Sequence, residues 1–472
     1  MLTHDLDNDV KDNYTVITIE GLYTYTQKKF NDKDLLLQSN PLKDLMRLSK
    51  YIHFTCTFDF ESPAFQKLLQ YPDDFTFDLI IFDVAGPVCL YGFIHRFKHP
   101  IVVAVSPYVV SPYHSHLFTN PLYTSYTPYF GTTFTNQMTF YQRTLNLFYT
   151  YFDIVIHKFL LYPHQHKIAK NAFNSTLPLF TDMQSQFSLF VVNIDPIIDY
   201  PIPLLPNIIP VGGLHIKPPK CLPQDLESVF NNTEHGVIFF SLGTNVQSSV
   251  FTFNDVNTFL KVFSKLQETI IWKFDQDKVH NVPKNVIISK WFPQNDILGH
   301  PKTKLFITHC GGLSLQETIY HGVPVVGIPY FIDQNANMAK VLNKKIGVHI
   351  DKNNITFQNV YDAVTEVLNN PRYTSNIKTI SEKFRNQINS PLDRAVFWIE
   401  HVLRFGRPEH LETPSRDMTL YQINDLDVLL LILICLFLIT YVFYLILCRC
   451  ISYMYNKLKI HCLIKIGNNN NK

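Results

Sequence analysis

The chain has 472 residues, 46% of them hydrophobic and 17% charged, which is too long for one ordinary core and too apolar to stay unfolded. Two domains plus extra segments fit that length. A formal net charge of +2 gives no basis for a broad nucleic-acid surface. The eight cysteines include no Cys-x-x-Cys pair, so neither a zinc site nor a disulfide framework is expected.

The first residues, Met1 to Val10, are acidic and unpatterned, with no apolar stretch of the signal-peptide kind; His4 among them is given no role. Asp78-Leu-Ile-Ile-Phe-Asp83, Ile101-Val-Val-Ala-Val105 and Leu189-Phe-Val-Val-Asn193 are short apolar runs of the type found in parallel sheets covered on both faces. Thr135 to Leu160 has helical apolar spacing. These elements make up a first lobe, residues 1–194. Residues 195–221 are dense in proline, which fixes φ and prevents helix, and predict a stiff extended linker.

From 222 to 411 strand and helix patterns alternate. Strands are predicted at Val237–Ser241, Thr269–Trp272, Asn285–Ser289, Lys304–Thr308, Pro324–Ile328 and Gly347–Ile350. Helices are predicted near Asn254–Gln267, from Ser314, near Gln334–Asn343, and at Pro391–Leu403 with proline in its first turn. Repeated β-α units of this spacing imply an open parallel sheet wound on both faces. After a juxtamembrane segment, 412–427, the uncharged run Val428–Cys448 has the ~20 residues needed to span a bilayer. Asp425 and Asp427 precede it, and Arg449, Lys457, Lys459 and Lys465 follow in the tail, 449–472. That asymmetry directs the tail to the cytosol. The Asn-x-Ser/Thr triplets at Asn13, Asn174, Asn231 and Asn354 lean towards a lumenal body. A lumenal body needs a leader, so the expectation is that the sequence lacks its true start.

The most informative stretch runs from Trp291 to Gln334: W-F-P-Q-N-D-I-L-G-H-P-K-T-K-L-F-I-T-H-C-G-G-L-S-L-Q-E-T-I-Y-H-G-V-P-V-V-G-I-P-Y-F-I-D-Q. Each part has a bland reading: a lone Trp is more often core, a strand-end His structural, a helix Glu solvated, an Asp before a helix its cap. Read together they make a nucleotide clamp. Trp291 offers an indole plate. The Thr308-His309-Cys310-Gly311-Gly312 turn into a helix offers unpaired amides and the positive end of a dipole to phosphate. Glu317, Asp333 and Gln334 offer acceptors and donors for hydroxyls. No Gly-x-Gly-x-x-Gly is present, so a nicotinamide site has no support.

This run resembles the donor-binding box of the animal UDP-glycosyltransferases, the glucuronosyl/glucosyl branch, in a form closest to insect members. The likeness extends over nearly everything from about Asn13 to Leu411, including the linker and the segment from Pro391. It implies an α/β GT-B fold, two Rossmann-like lobes facing a cleft, and a C-terminal transmembrane helix. By resemblance, Trp291 and Gln294 hold uracil and ribose, and Glu317 chelates the ribose hydroxyls. Gly243 and Thr244 of Ser241-Leu-Gly-Thr244, with His309, Gly311, Gly312 and Ser314, meet the diphosphate. Asp333 and Gln334 meet the sugar, and Asn337 lies one turn on. The family transfers glucose or glucuronate from the UDP-sugar to a hydroxyl of a small lipophilic acceptor, with inversion, no metal and no cofactor. A first-lobe His takes the proton and an Asp orients it; Asp83 matches the Asp, and the His has no counterpart here.

Cys310, where the family has glycine, and Leu313, where vertebrate members favour asparagine, also depart from the pattern. A catalytically silent relative that binds UDP-sugar or pairs with active subunits is the competing reading, and a homo- or hetero-oligomer is compatible with either. The apolar span disfavours a soluble cytosolic transferase. The implied location is the endoplasmic reticulum membrane, with the body lumenal.

Overall fold

Val237-Ile-Phe-Phe-Ser241 is buried at every position, as a strand must be when helices cover both faces of its sheet. It is the inner strand β7 of the second lobe in this computed structural model, which describes residues 2–4, 15–22, 25, 40–173, 177–244, 246, 250–274 and 279–469. The other strands of that lobe are β8 (Thr269–Lys273), β9 (Val286–Ser289), β10 (Thr303–Thr308), β11 (Val325–Gly327) and β12 (Gly347–His349). They run parallel in the order β12-β11-β10-β7-β8-β9. The order reverses between β7 and β10, which leaves a crevice beyond their C-terminal ends, the usual place for a ligand in an open sheet.

The first lobe is a four-stranded parallel sheet, β3 (Leu79–Asp83), β4 (Ile101–Ser106), β5 (Phe187–Val192) and β6 (Ile208–Pro210), in that order. β6 comes from the proline-rich connector, which is therefore part of the sheet as well as a linker. Its proline lies on an edge strand, where a missing N–H costs no ladder bond. At the other edge, Ile81 of β3 is half-exposed. β1 (Leu2–His4) and β2 (Ile17–Ile19) form a separate parallel pair, and Ile17 and Ile19 join the first-lobe core. Three residues are too few to show an alternating pattern, so the N-terminal run gave no strand signal. The side chain of His4, and Asn13 and Asn174, lie outside the described residues. Asn231 and Asn354 are exposed.

Phe140–Ile156 is helical, opened by a reciprocal cap between Thr139 and Gln142, an arrangement worth about 1 kcal/mol. Pro391–Phe405 starts with Ser390 capping Asp393 N and proline in the first turn. Its Ala395 and Val402 pack with Val103, Leu189, Val191 and Ile209, so the last helix of the body closes back onto the first sheet.

One expectation is overturned. Cys56, in the helix Pro41–Glu61, and Cys89, in the turn Val88–Tyr91, form a disulfide with Cα atoms 6.0 Å apart. Their 33-residue separation carries no motif; only the packing of helix against turn brings them together. Residues 413–472 form a second unit dominated by the helix Leu426–Asn469, of which Leu426–Ile460 is long and apolar enough to cross a membrane.

Candidate active site

β10 ends at Thr308, and the chain turns through His309, Cys310 and Gly311 into the helix Gly312–His321. That helix begins two residues before the Ser314 expected. The His309 imidazole lies in the turn, buried, between two glycines. A Cβ on Gly243 would fall 2.6 Å from His309 Cε1, and one on Gly311 would fall 2.5 Å from Nε2. Gly243 also has φ +73, the region that favours glycine. Burial, and secondarily the charge of Lys273, push the His309 pKa down to about 4. The ring is therefore neutral near pH 7 and has one N–H to give.

Lys273 ends β8 and donates from Nζ to Gly243 O at 3.1 Å. Burial lowers its pKa. Lys273 is not among the sequence-predicted site residues. The available signal was a cation closing an otherwise apolar strand at the same sheet end as the clamp. Thr244, next to Gly243, is exposed.

Trp291 follows β9 with 64% of its surface open, so its indole is not core and can take a stacked base. Gln294 opens the short helix Gln294–Gly299. Its Nε2 donates to Ser314 Oγ at 3.0 Å and to Glu317 Oε2 at 2.6 Å. Burial raises the Glu317 pKa, the Gln294 bond opposes that, and Asp296 adds to it. His215, from the connector, donates to Leu313 O at 3.2 Å and lies 3.9 Å from Glu317 Oε1; no motif pointed to it.

Asp333 is the first residue of the helix Asp333–Asn343; the cap position belongs to Ile332. Asp333 caps the neighbouring helix instead, since its Oδ2 accepts from Gly312 N at 3.2 Å. One of the amides expected to face phosphate is thus taken, leaving those of Leu313 and Ser314 for an anion. Asn337 Nδ2 donates to the same Oδ2 at 2.8 Å and to Cys310 O at 3.0 Å. Burial raises the Asp333 pKa, and Lys340 is the first of several influences that lower it. Gln334 is buried, and its Oε1 is occupied by Tyr330 N and Phe331 N, so only its NH2 remains to donate. Ile332 at φ 53 and Cys310 at φ 63 are unusual for residues with a Cβ, and such strain gathers at functional sites.

The structure therefore brings Gly243, Gln294, His309, Gly311, Gly312, Ser314, Glu317, Asp333 and Gln334 to one end of the second sheet. Asp83 belongs to the other lobe, at the exposed end of β3, where its Oδ1 accepts from Ala85 N at 2.9 Å. Desolvation by the surrounding protein raises its pKa, and the Ala85 bond opposes this. Gln316 bridges the lobes: its amide meets Gly213 N at 3.1 Å and Asn193 O at 3.1 Å.

Two parallel α/β lobes joined this way have the GT-B fold seen in glycosyltransferases. Spinosyn forosaminyltransferase SpnP shares the fold at TM-score 0.54 and 15% identity, over 76% of this chain and 84% of that one. The calicheamicin glycosyltransferase CalG4 does so at 0.51 and 13%, over 84% and 88%. In sequence, residues 10–462 match the family described as "UDP-glucoronosyl and UDP-glucosyl transferase". UDP-glucosyltransferase 2 of Dactylopius coccus is 35% identical over 393 residues, 83% of this chain and 75% of that protein. Human UDP-glucuronosyltransferase 2B7 is 35% identical over 374 residues, 78% and 69%. The chain belongs to the UDP-glucuronosyl and UDP-glucosyl transferase family.

Proposed function

We propose that this protein transfers glucose or glucuronate from a UDP-sugar to the hydroxyl of a small lipophilic acceptor, with inversion at the anomeric carbon. The observation that carries the reading is the neutral His309 imidazole between Gly243 and Gly311, beside the mouth of the helix Gly312–His321. Uracil stacks on Trp291, the ribose hydroxyls meet Glu317, and the sugar meets Asp333 and Gln334. The acceptor oxygen attacks the anomeric carbon as its bond to the β-phosphate oxygen breaks. The hydroxyl proton goes to solvent water, UDP leaves with the electron pair, and Asp83 stands as the orienting acid of the first lobe. Charge growing on the diphosphate is met by the Leu313 and Ser314 amides, His309 N–H and Lys273.

The same reading puts the body in the lumen of the endoplasmic reticulum, with the C-terminal helix as its anchor. The Cys56–Cys89 disulfide supports this, since such bonds persist in oxidising compartments, as do the exposed Asn231 and Asn354.

The test is a transfer assay on full-length protein with UDP-glucose and UDP-glucuronate, beside calorimetry with UDP. Asp333→Ala is expected to abolish transfer and leave UDP affinity within about threefold, a change below 1 kcal/mol. Equal loss of both would make Asp333 structural. UDP binding without transfer by the wild type would favour the silent relative, and no UDP binding would end the reading.

A further inference from the structure

Asp333 is held by a line of side chains that starts outside the second lobe. Asp199, in the connector, accepts from Lys340 Nζ at 2.6 Å. Lys340 is 7% exposed, and its ammonium also donates to Asn337 Oδ1 at 3.2 Å. A cation on Oδ1 settles the direction of the Asn337 amide, since an ammonium has only protons to give. The NH2 must then face the other way, where it meets Asp333 Oδ2 and Cys310 O. Asn337 and Gly312 N both bond Oδ2, so these two bonds fix the carboxylate through one oxygen and take none of the capacity of Oδ1. Stability alone does not account for the arrangement. A buried ion pair is often no better than apolar residues of similar volume, whereas one placed behind a ligand-binding carboxylate fixes its direction and charge.

We propose that Lys340 and Asp199 are positioning residues for the donor sugar: acting through Asn337, they orient the Asp333 carboxylate and couple sugar recognition to the connector between the lobes. The inference rests on the reading that Asp333 meets the sugar.

Lys340 lowers the Asp333 pKa against the raising effect of burial. Other titratable groups around this line are the Cys310 thiol, pushed up by burial, and His309, held neutral. Glu317 and His321 belong to the neighbouring helix, and His349 to β12. At the connector, Lys344 donates to Ile197 O, and Asp195 lies close to Asp199. Loss of the Lys340 charge raises the Asp333 pKa further. Sugar recognition by the ionised carboxylate then fails at a higher pH as the solution is acidified.

The experiment titrates UDP and UDP-glucose onto full-length protein in detergent micelles across pH 5 to 8. For Lys340→Met the expected results are UDP affinity within about twofold of wild type and an UDP-glucose to UDP affinity ratio about tenfold lower, the scale of one charge-assisted hydrogen bond. The acidic limb of that ratio should also move to higher pH. Asp199→Asn, which keeps an acceptor and is the gentler change, should shift ratio and limb the same way by less. An unchanged ratio and limb in both variants would overturn the proposal. So would equal loss of UDP and UDP-glucose binding, which marks a merely structural role. Asp333→Asn keeps the two failures apart: if it leaves the ratio intact, the site reading fails; if it lowers the ratio while Lys340→Met does not, only the line through Lys340 fails.

Discussion

The imidazole of His309 occupies the space where Gly311 would carry a side chain, with 2.5 Å between the Nε2 atom and an ideal Cβ. The glycine is thus required by its neighbour's ring, whatever it does for phosphate. Gly311→Ala forces the ring or the turn to move, an overpacking cost of about 1–3 kcal/mol. The expected outcome is a lower melting temperature together with at least about tenfold weaker UDP binding, read by calorimetry. Wild-type UDP affinity in this variant would show that the ring's place between the glycines is irrelevant to the nucleotide.

Lys273 gives the site a pH dependence on the alkaline side. Burial disfavours its charged form, so its pKa lies below that of an ordinary lysine. On the proposed reading the charged form attracts diphosphate, and bound diphosphate in turn supports the charge. As pH rises through the depressed pKa, the ammonium is lost and UDP affinity should fall, at a lower pH than a free lysine would dictate. Lys273→Met should remove this alkaline fall and weaken UDP binding at pH 7. A variant that binds UDP as tightly as wild type, with the same alkaline fall, would exclude Lys273 from the site.

Much of this geometry was legible before folding. Val237–Ser241 and Lys304–Thr308 are apolar runs of strand length, and both are strands of the second sheet. Those signals are local, set by the alternation of strand and helix. What escaped notice was non-local. Cys56 and Cys89 lie 33 positions apart, and only packing makes them neighbours. Ile208-Ile-Pro210 is too short and too proline-rich to suggest the strand it forms against Phe190–Val192. At the site, Asp333 was readable as a residue beginning a helix, but not as the cap of a different helix, because Gly312 lies 21 positions away.

Trp291 is the residue whose loss should separate binding from folding. With 64% of its surface open, it contributes little to the core. Stacking of one base on an aromatic ring is worth about 1–3 kcal/mol by alanine substitution. Trp291→Ala should therefore weaken UDP about 5- to 150-fold while leaving the melting temperature within about 2 °C. Quenching of its indole fluorescence on UDP addition gives a second readout, and affinity unchanged by the substitution would remove the indole from the base platform.

Cys310 offers a prediction in which the usual ranking of residues is reversed. Its φ of 63 puts a Cβ where the left-handed backbone costs about 1–2 kcal/mol, while its buried Sγ lies 3.6 Å from Met338 Sδ. Alanine loses the sulfur contact and keeps the strain. Glycine loses the same contact and releases the strain. In a helix interior alanine is the more stable of the two by about 1 kcal/mol; at this turn Cys310→Gly should be more stable than Cys310→Ala by about the same amount, measured by denaturant midpoint. On the proposed reading, in which the turn meets phosphate through its backbone, glycine should also bind UDP at least as well as the wild type. An alanine variant more stable than the glycine variant would mean that residue 310 does not hold a left-handed conformation in solution.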